Sequence, residues 1–298
     1  MRTASFQLAV RKNMMAALDN MKFREWQLAL PLGLAFVALF LAPFVMLIGV
    51  SFYNDDQLAH PGVAQWIKFY GDPFHYKVIA DTLLLGVKTV AATVFVGYPL
   101  ALAFIDLPAR VQKVLIFVIV MPLLLSVVVR TFAWIVLLGR EGVINSLLLR
   151  FGIISEPLRL LQTELGLVIA MTQIEMPLML LPLISVMSKI DPNLRDASAA
   201  LGASRWRTLF KVIVPLSMPG LVAGCLLVFA SSTTAFISQS IIGGVRLIYL
   251  PLLIWQQSLV VFNWPFASVA SLALLVSVLS VITALSYLGR RASGAIHG

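Results

Sequence analysis

Charged side chains are scarce in this chain. Asp, Glu, Lys and Arg together make up 12% of its 298 residues, about half of the ~25% usual for a soluble domain. Most of the surface therefore faces something other than water. Cysteine occurs once, as Cys225, which excludes an intrachain disulfide and leaves a small apolar side chain suited to helix packing. Histidine occurs three times, as His60, His75 and His297, with no cysteine or carboxylate at ligand spacing, so no metal centre is expected. A phosphate-binding loop is also missing. Its nearest approach, Gly86-Val87-Lys88-Thr89, lacks the glycine immediately before the lysine and sits inside an apolar run. No Ser/His/Asp set is arguable. The expectation is a protein that is not an enzyme, binds no cofactor of its own and does not hydrolyse ATP by itself.

Apolar length is what the chain has in abundance. It is 60% hydrophobic, with a mean hydropathy of +0.96. A helix crosses a bilayer core in about 20 apolar residues, and six such runs are read at 28–52, 79–105, 114–138, 165–187, 219–242 and 264–288. The expected fold is all-α and integral to the membrane, with about six transmembrane helices. Residues 28–288 form the transmembrane domain, between an N-terminal tail (1–27) and a C-terminal tail (289–298). The first apolar run is too long for a cleaved signal peptide, and further spans follow it. A net charge of +9 does not point to nucleic acid, because of where the cations lie. Fourteen Lys and Arg fall in the two tails, in 106–113 and in 188–218; six fall in the opposite connections, and Lys88 and Arg130 lie within spans. Basic residues in short loops stay in the cytoplasm during insertion. Both termini and the 188–218 loop are thereby placed inside the cell.

The connections differ in character. Residues 53–78 carry Asn-Asp, Pro-Gly and Asp-Pro turns between aromatic residues (Trp66, Phe69, Tyr70, Phe74, Tyr76). These suit an interfacial belt or the docking of an extracytoplasmic protein. Residues 106–113 make a tight inner turn, and 139–164 read as a short amphipathic helix on the outer interface. The inner loop 188–219 is the most distinctive. Asp191-Pro192 starts a short helix, which runs through Leu201 and ends at Gly202, where the chain turns sharply. Ser204 caps a second short helix with Trp206, Leu209, Phe210 and Ile213 on one apolar face. Pro215 and Pro219 are expected to stop that helix before the fifth span.

Within this loop Asp196-Ala197 lies six residues before Gly202, and Pro215 lies thirteen after it. That arrangement, DASAALGASRWRTLFKVIVP (196–215), resembles the cytoplasmic EAA loop of permease subunits of bacterial binding-protein-dependent type I ABC importers. Asp196 stands for the family's Glu, Ser198 for its second Ala, Val212 for its Ile and Val214 for its Leu. An ordinary basic loop with Trp206 resting on lipid leaves the joint spacing unexplained. The resemblance implies a coupling helix seated in a cleft of an ATPase. Asp196, Ala197, Gly202, Ala203 and Arg205 would make the joint, Trp206 and Phe210 the packing anchors, and Pro215 would close the pattern. It further implies a bacterial inner-membrane location and four kinds of neighbour: a homologous second permease, two ATP-binding subunits that hold ATP and Mg, a solute-binding protein outside, and lipid.

Further segments, SFYNDD (51–56), GYPLALAF (97–104), VVVRTFAWIVLLG (127–139), LGASRWRTLFKVIVPLSMPGLVAG (201–224) and NWPFASVAS (263–271), look like the branch serving polyamine uptake. This implies spermidine or putrescine as the solute. Polyamine permeases of this branch often carry an acidic residue just before a Phe in the fifth span. Here Ser231-Ser232-Thr233-Thr234-Ala235-Phe236 has no carboxylate, which keeps an opine, an aminophosphonate or another amino-containing solute open. An ion-coupled secondary transporter is the alternative class, although no internal repeat relates the two halves and the loop would be idle.

Ionisable residues inside spans are costly and call for an explanation. Glu175 lies two residues before Pro177, where a proline opens the helix. It is expected to face the solute pathway with Gln173, or else to form a buried ion pair with Lys88 or Arg130. Arg130 reads as a helix-end anchor, and Asp81 as an acid at the outer start of the second span with a secondary role at the pore mouth. Thr233, Thr234 and Phe236 complete the candidate pathway; the Ser/Thr row also suits helix packing.

Overall fold

The computed structural model describes residues 30–294; the tail 1–27 and residues 295–298 lie outside the described residues. Helix α1 (Leu30–Ser51) leads through short α2 (Ala64–Gly71) into α3 (Pro73–Ile105). Then come α4 (Ala109–Leu124), α5 (Val127–Leu138), α6 (Val143–Arg150) and α7 (Glu164–Met187), followed by the short α8 (Asn193–Ala200) and α9 (Arg205–Thr208). The chain ends with α10 (Val214–Thr234), α11 (Phe236–Ile242), α12 (Leu250–Trp255) and α13 (Trp264–Gly294). Helix α1, α3, α7, the stretch Arg205–Thr234 and α13 as far as Tyr287 are each long and apolar enough to cross a membrane. The sixth candidate is a pair, Ala109–Leu124 and Val127–Arg150, long and apolar enough only together and bent by 101°.

Two expected spans are thus corrected. The run 114–138 is not one helix. Leu125 and Ser126 both turn to extended backbone just after Pro122, where the proline has already removed a ladder donor. The run 219–242 ends early, at Ala235 (φ −73°, ψ 65°). Its last turn is a row of hydroxyls that bond back to the helix: Thr233 to the Phe229 carbonyl at 2.8 Å and Thr234 to the Ala230 carbonyl at 2.9 Å. Such bonds compete with continuation of the ladder. Across the break, the Gln239 amide donates to the Ser232 carbonyl at 2.7 Å. At its other end the same helix starts earlier than expected. Pro215 and Pro219 do not stop it, because a π turn at Leu209–Ile213 carries α9 into α10 and leaves Pro215 in the first turn, where no N–H is needed.

Helices α3, α7 and α10 pack mutually against one another, with α7 making the most extensive contacts. Small residues set these crossings. Gly220 and Gly224, four apart on α10, lie against Pro182, Val186 and Met179 of α7, and Gly86 of α3 lies against Phe229 and Thr233 of α10. Close approach of this kind is how helices associate where lipid removes the hydrophobic drive. One core cluster (Ala101, Phe104, Leu180, Leu183, Met187) packs one end of α3 and α7. Another (Leu85, Leu138, Leu167, Met171, Ile242, Tyr249) packs the other end. Residues 235–263 fold back into the bundle, and Thr82 accepts from the Leu250 N–H at 2.9 Å. By contrast α1 is exposed along nearly all its length.

The connections are ordered by a few polar side chains. A hydrogen bond from His60, at 3.0 Å, holds the Asp55 carboxyl below its usual range in the loop after α1. The expected amphipathic segment is helical only over Val143–Arg150, and Asn145 organises the non-helical chain beyond it. Fully buried, it donates to the Gly139 and Leu158 carbonyls and accepts from the Leu158 N–H, each near 3 Å. Asn145→Ala strands these groups, an expected cost of about 2 kcal/mol, readable as a lower melting midpoint of the extracted protein.

Candidate functional site

Two helix interruptions meet beside α7, which stays one continuous helix through Pro177 rather than opening there. The α4–α5 break at Leu125–Ser126 and the α10–α11 break at Ala235 flank a cavity of about 220 Å³, whose remaining side is a face of α7. Its wall is made by Leu123, Val127, Arg130, Ile174, Glu175, Leu178, Ser231, Thr234, Ala235 and Ser238. It is smaller than the ~300–1,000 Å³ of typical ligand pockets. Irregular backbone at membrane depth is tolerated where it lines such a space.

Glu175 is only 3% exposed and accepts a hydrogen bond from the Ser231 hydroxyl at 3.0 Å. No ion pair involves it among the described residues. Lys88 pairs with Glu164 instead, so a Glu175–Lys88 pair is not formed. Arg130 lies on the same cavity wall, in the first turn of α5, with Nε and Nη1 buried and making no hydrogen bond. Arg130 is thus a helix-end residue as expected from sequence, but the helix end lies at the cavity, where part of its guanidinium is buried. Thr131 and Ser238 bridge α5 and α11 at 3.2 Å just beside it.

Of the other expected pathway residues, Thr234 lines the cavity and the rest do not. Gln173 is exposed on another face of α7 and accepts from the Trp134 indole N–H at 3.0 Å. Thr233 is buried against Gly86, as helix packing. Phe236 stacks on Trp255 at 5.6 Å. Asp81 does not start its helix, because α3 begins two turns earlier at Pro73 and Asp72 caps it by accepting from the Phe74 N–H at 2.8 Å. Sequence reasoning missed Ser231 and Ser238 as individual wall residues, and it did not place Arg130 at the cavity. All three become legible only once the helix breaks are known.

The inner loop forms two short helices at an elbow. The Asp191 side chain accepts from the Asn193 N–H at 2.9 Å, and the Ser204 side chain accepts from the Arg207 N–H at 3.3 Å. Helix α8 ends with paired bonds, Gly202 N–H to the Ala199 carbonyl at 2.9 Å and Ala203 N–H to the Ser198 carbonyl at 3.1 Å. Gly202 takes φ +77°, the left-handed conformation that this capping motif needs. The Ser198 and Thr208 hydroxyls close the elbow at 2.8 Å. Asp196 sits in the first turn of α8, and both it and Ala197 are exposed. So are Arg205, Trp206 and Phe210, while Ala203 and Pro215 are half-buried. Trp206 and Phe210 stack on each other at 6.1 Å, with Trp206 70% exposed and Leu201 88% exposed, an apolar patch unusual for a polar loop. Arg195 forms an ion pair with Asp106, which ties α8 to the α3–α4 turn.

Comparison with known proteins agrees with this architecture. The family described as binding-protein-dependent transport system inner membrane component matches residues 82–294. The spermidine/putrescine transport system permease protein PotB of Haemophilus influenzae is 32% identical over 240 residues, covering 79% of this chain and 84% of the relative. PotB of Salmonella typhimurium is 30% identical over 259 residues, covering 86% and 90%. A solved bacterial alginate ABC transporter, in complex with an alginate pentasaccharide-bound periplasmic protein, contains a chain of the same fold. Its TM-score is 0.72 at 15% identity, over 90% of this chain and 94% of that one. The ion-coupled alternative is thereby set aside. The chain belongs to the family of binding-protein-dependent transport system inner membrane components: it is a permease subunit of an ABC importer, not an enzyme.

Proposed function

We propose that this subunit forms half of the translocation pathway for a small solute bearing an ammonium group, and that its pathway runs through the cavity at Glu175. The observation that carries this is the enclosed carboxylate itself. Glu175 faces a cavity beside two helix breaks, where a buried charge is costly without a functional return. The names of the PotB relatives support a polyamine, spermidine or putrescine. A second reading, an opine, aminophosphonate or other solute joining an amino group to an anion, is favoured by Arg130 on the same wall. A homologous permease would supply the other half of the path, and an extracytoplasmic binding protein would deliver the solute. Two ATPases, holding ATP and Mg, would grip the Trp206–Phe210 patch beyond the Gly202 elbow, so that their closure switches the cavity between inward and outward access. Charge bias supports cytoplasmic placement of that loop and of both termini.

Mass spectrometry of the complex, gently extracted from its native membrane, tests the assembly: a second permease and two ATPases are expected, and recovery of this chain alone would sink it. For the pathway, Glu175→Gln is expected to lower uptake at least about tenfold, the loss of one charge-assisted contact, with the protein level unchanged. Unchanged uptake kinetics would remove Glu175 from the path.

A further inference from the structure

The charge balance of the cavity bears on the solute itself. Arg130 is set into the wall that also holds Glu175, its Nε and Nη1 buried and without a hydrogen bond. Among the described residues no ion pair joins the two. Buried guanidinium donors left idle are expensive, and the planar fork of arginine matches the paired oxygens of a carboxylate or phosphonate. Val127, the first residue of α5, lines the same wall, and Ser126 puts no side-chain cap on that helix start. The positive end of α5 thus adds to the field of Arg130. Glu175, with the Ser231 and Thr234 hydroxyls, supplies acceptors for an ammonium group. One positive and one negative side chain leave this subunit's share of the cavity with no net charge. A dication would bring two uncompensated positive charges into it and set one against Arg130. A zwitterion satisfies both groups and adds no net charge.

We infer that the solute is a small zwitterion whose ammonium group meets Glu175 and Ser231 and whose anionic group, a carboxylate or phosphonate, meets Arg130. The inference rests on the reading that this cavity is the solute path. The test uses the assembled permease–ATPase complex in detergent, without binding protein, and follows its melting midpoint. Three probes are titrated: putrescine; 4-aminobutyrate, which exchanges one ammonium for a carboxylate on a similar carbon chain; and 2-aminoethylphosphonate.

At least one zwitterion is expected to stabilise the complex at lower concentration than putrescine does, and which one does so distinguishes carboxylate from phosphonate. Arg130→Gln is expected to weaken that response about tenfold or more, and Arg130→Lys, which keeps the charge but loses the planar fork, is expected to weaken it less. A stronger response to putrescine, no response to either zwitterion, or a zwitterion response indifferent to Arg130→Gln overturns the inference. If Arg130→Gln fails to assemble, the ranking of the three probes on the unaltered complex decides. The path reading falls separately, and only if Glu175→Gln leaves uptake unchanged.

Discussion

Gly224→Leu is expected to abolish accumulation of the folded protein in the membrane. A Cβ at this position would stand 2.7 Å from the Met179 Sδ, 3.1 Å from its carbonyl oxygen and 3.2 Å from its Cα. The sulfur can swing aside, but the α7 backbone cannot. One turn away, a Cβ on Gly220 would lie 2.8 Å from the Pro182 carbonyl and 2.9 Å from the Val186 Cβ. Overpacking a tight core costs about 1–3 kcal/mol even for a few added methylenes, and here it would force apart the two helices that carry Glu175 and Ser231. Lipid offers little drive to bring them together again. Immunoblotting of washed membranes and size exclusion of the extract measure the outcome. Gly33→Leu in α1 is the control, because nothing lies within 4 Å of its Cβ, and it should accumulate normally. Equal recovery of the two variants would show that the α7–α10 crossing is not set by these glycines.

Gly202→Val should do the opposite: leave the membrane domain intact and disconnect it. Gly202 holds φ +77° with open space around its Cβ, so the penalty is one of backbone conformation alone. A left-handed position costs an ordinary residue about 1–2 kcal/mol, more when it is β-branched. Relief requires unwinding the end of α8 and swinging Trp206 away from its place. The expected result is normal protein level with ATPase co-purification and uptake each reduced about tenfold or more, the equivalent of 1.4 kcal/mol. Gly202→Asn, which tolerates this conformation, should retain most of both. If Gly202→Val keeps its ATPase and its uptake, the elbow does not position the docking patch.

Local chemistry was legible in the sequence, and tertiary interruption was not. The elbow followed from Asp191, Gly202 and Ser204 because capping depends on neighbours a few residues away. Apolar runs located the spans because hydropathy sums over many residues. The breaks at Leu125–Ser126 and Ala235 hide within those runs. Ala235 is itself a good helix former, and the helix ends there through hydroxyl back-bonds and a long-range bond from Gln239. Treating 114–138 as one helix put Arg130 at an outer end; with the break in place the same residue opens a new helix at the cavity. Gln173 illustrates an error that geometry alone corrects. Two residues from Glu175 on a helix, it is turned by about 200° and faces another way. Thr233 and Thr234 part for the same reason, one into packing and the other into the wall.

The uninterrupted run from Arg205 to Thr234 makes a lever. Thirty residues at about 1.5 Å each give a rod of roughly 45 Å, pinched against α7 off-centre, between Gly220 and Gly224. Trp206 lies roughly 24 Å from the middle of that pinch and Ser231 roughly 14 Å beyond it. If the loop is pushed, rocking about this fulcrum would send the hydroxyl wall in the opposite direction to the tryptophan and a little over half as far. A push of about 2 Å at the loop would then become a shift of about 1 Å at the cavity, on the scale of a hydrogen bond made or broken. In such a movement the position of two glycines would set the gearing between the two ends.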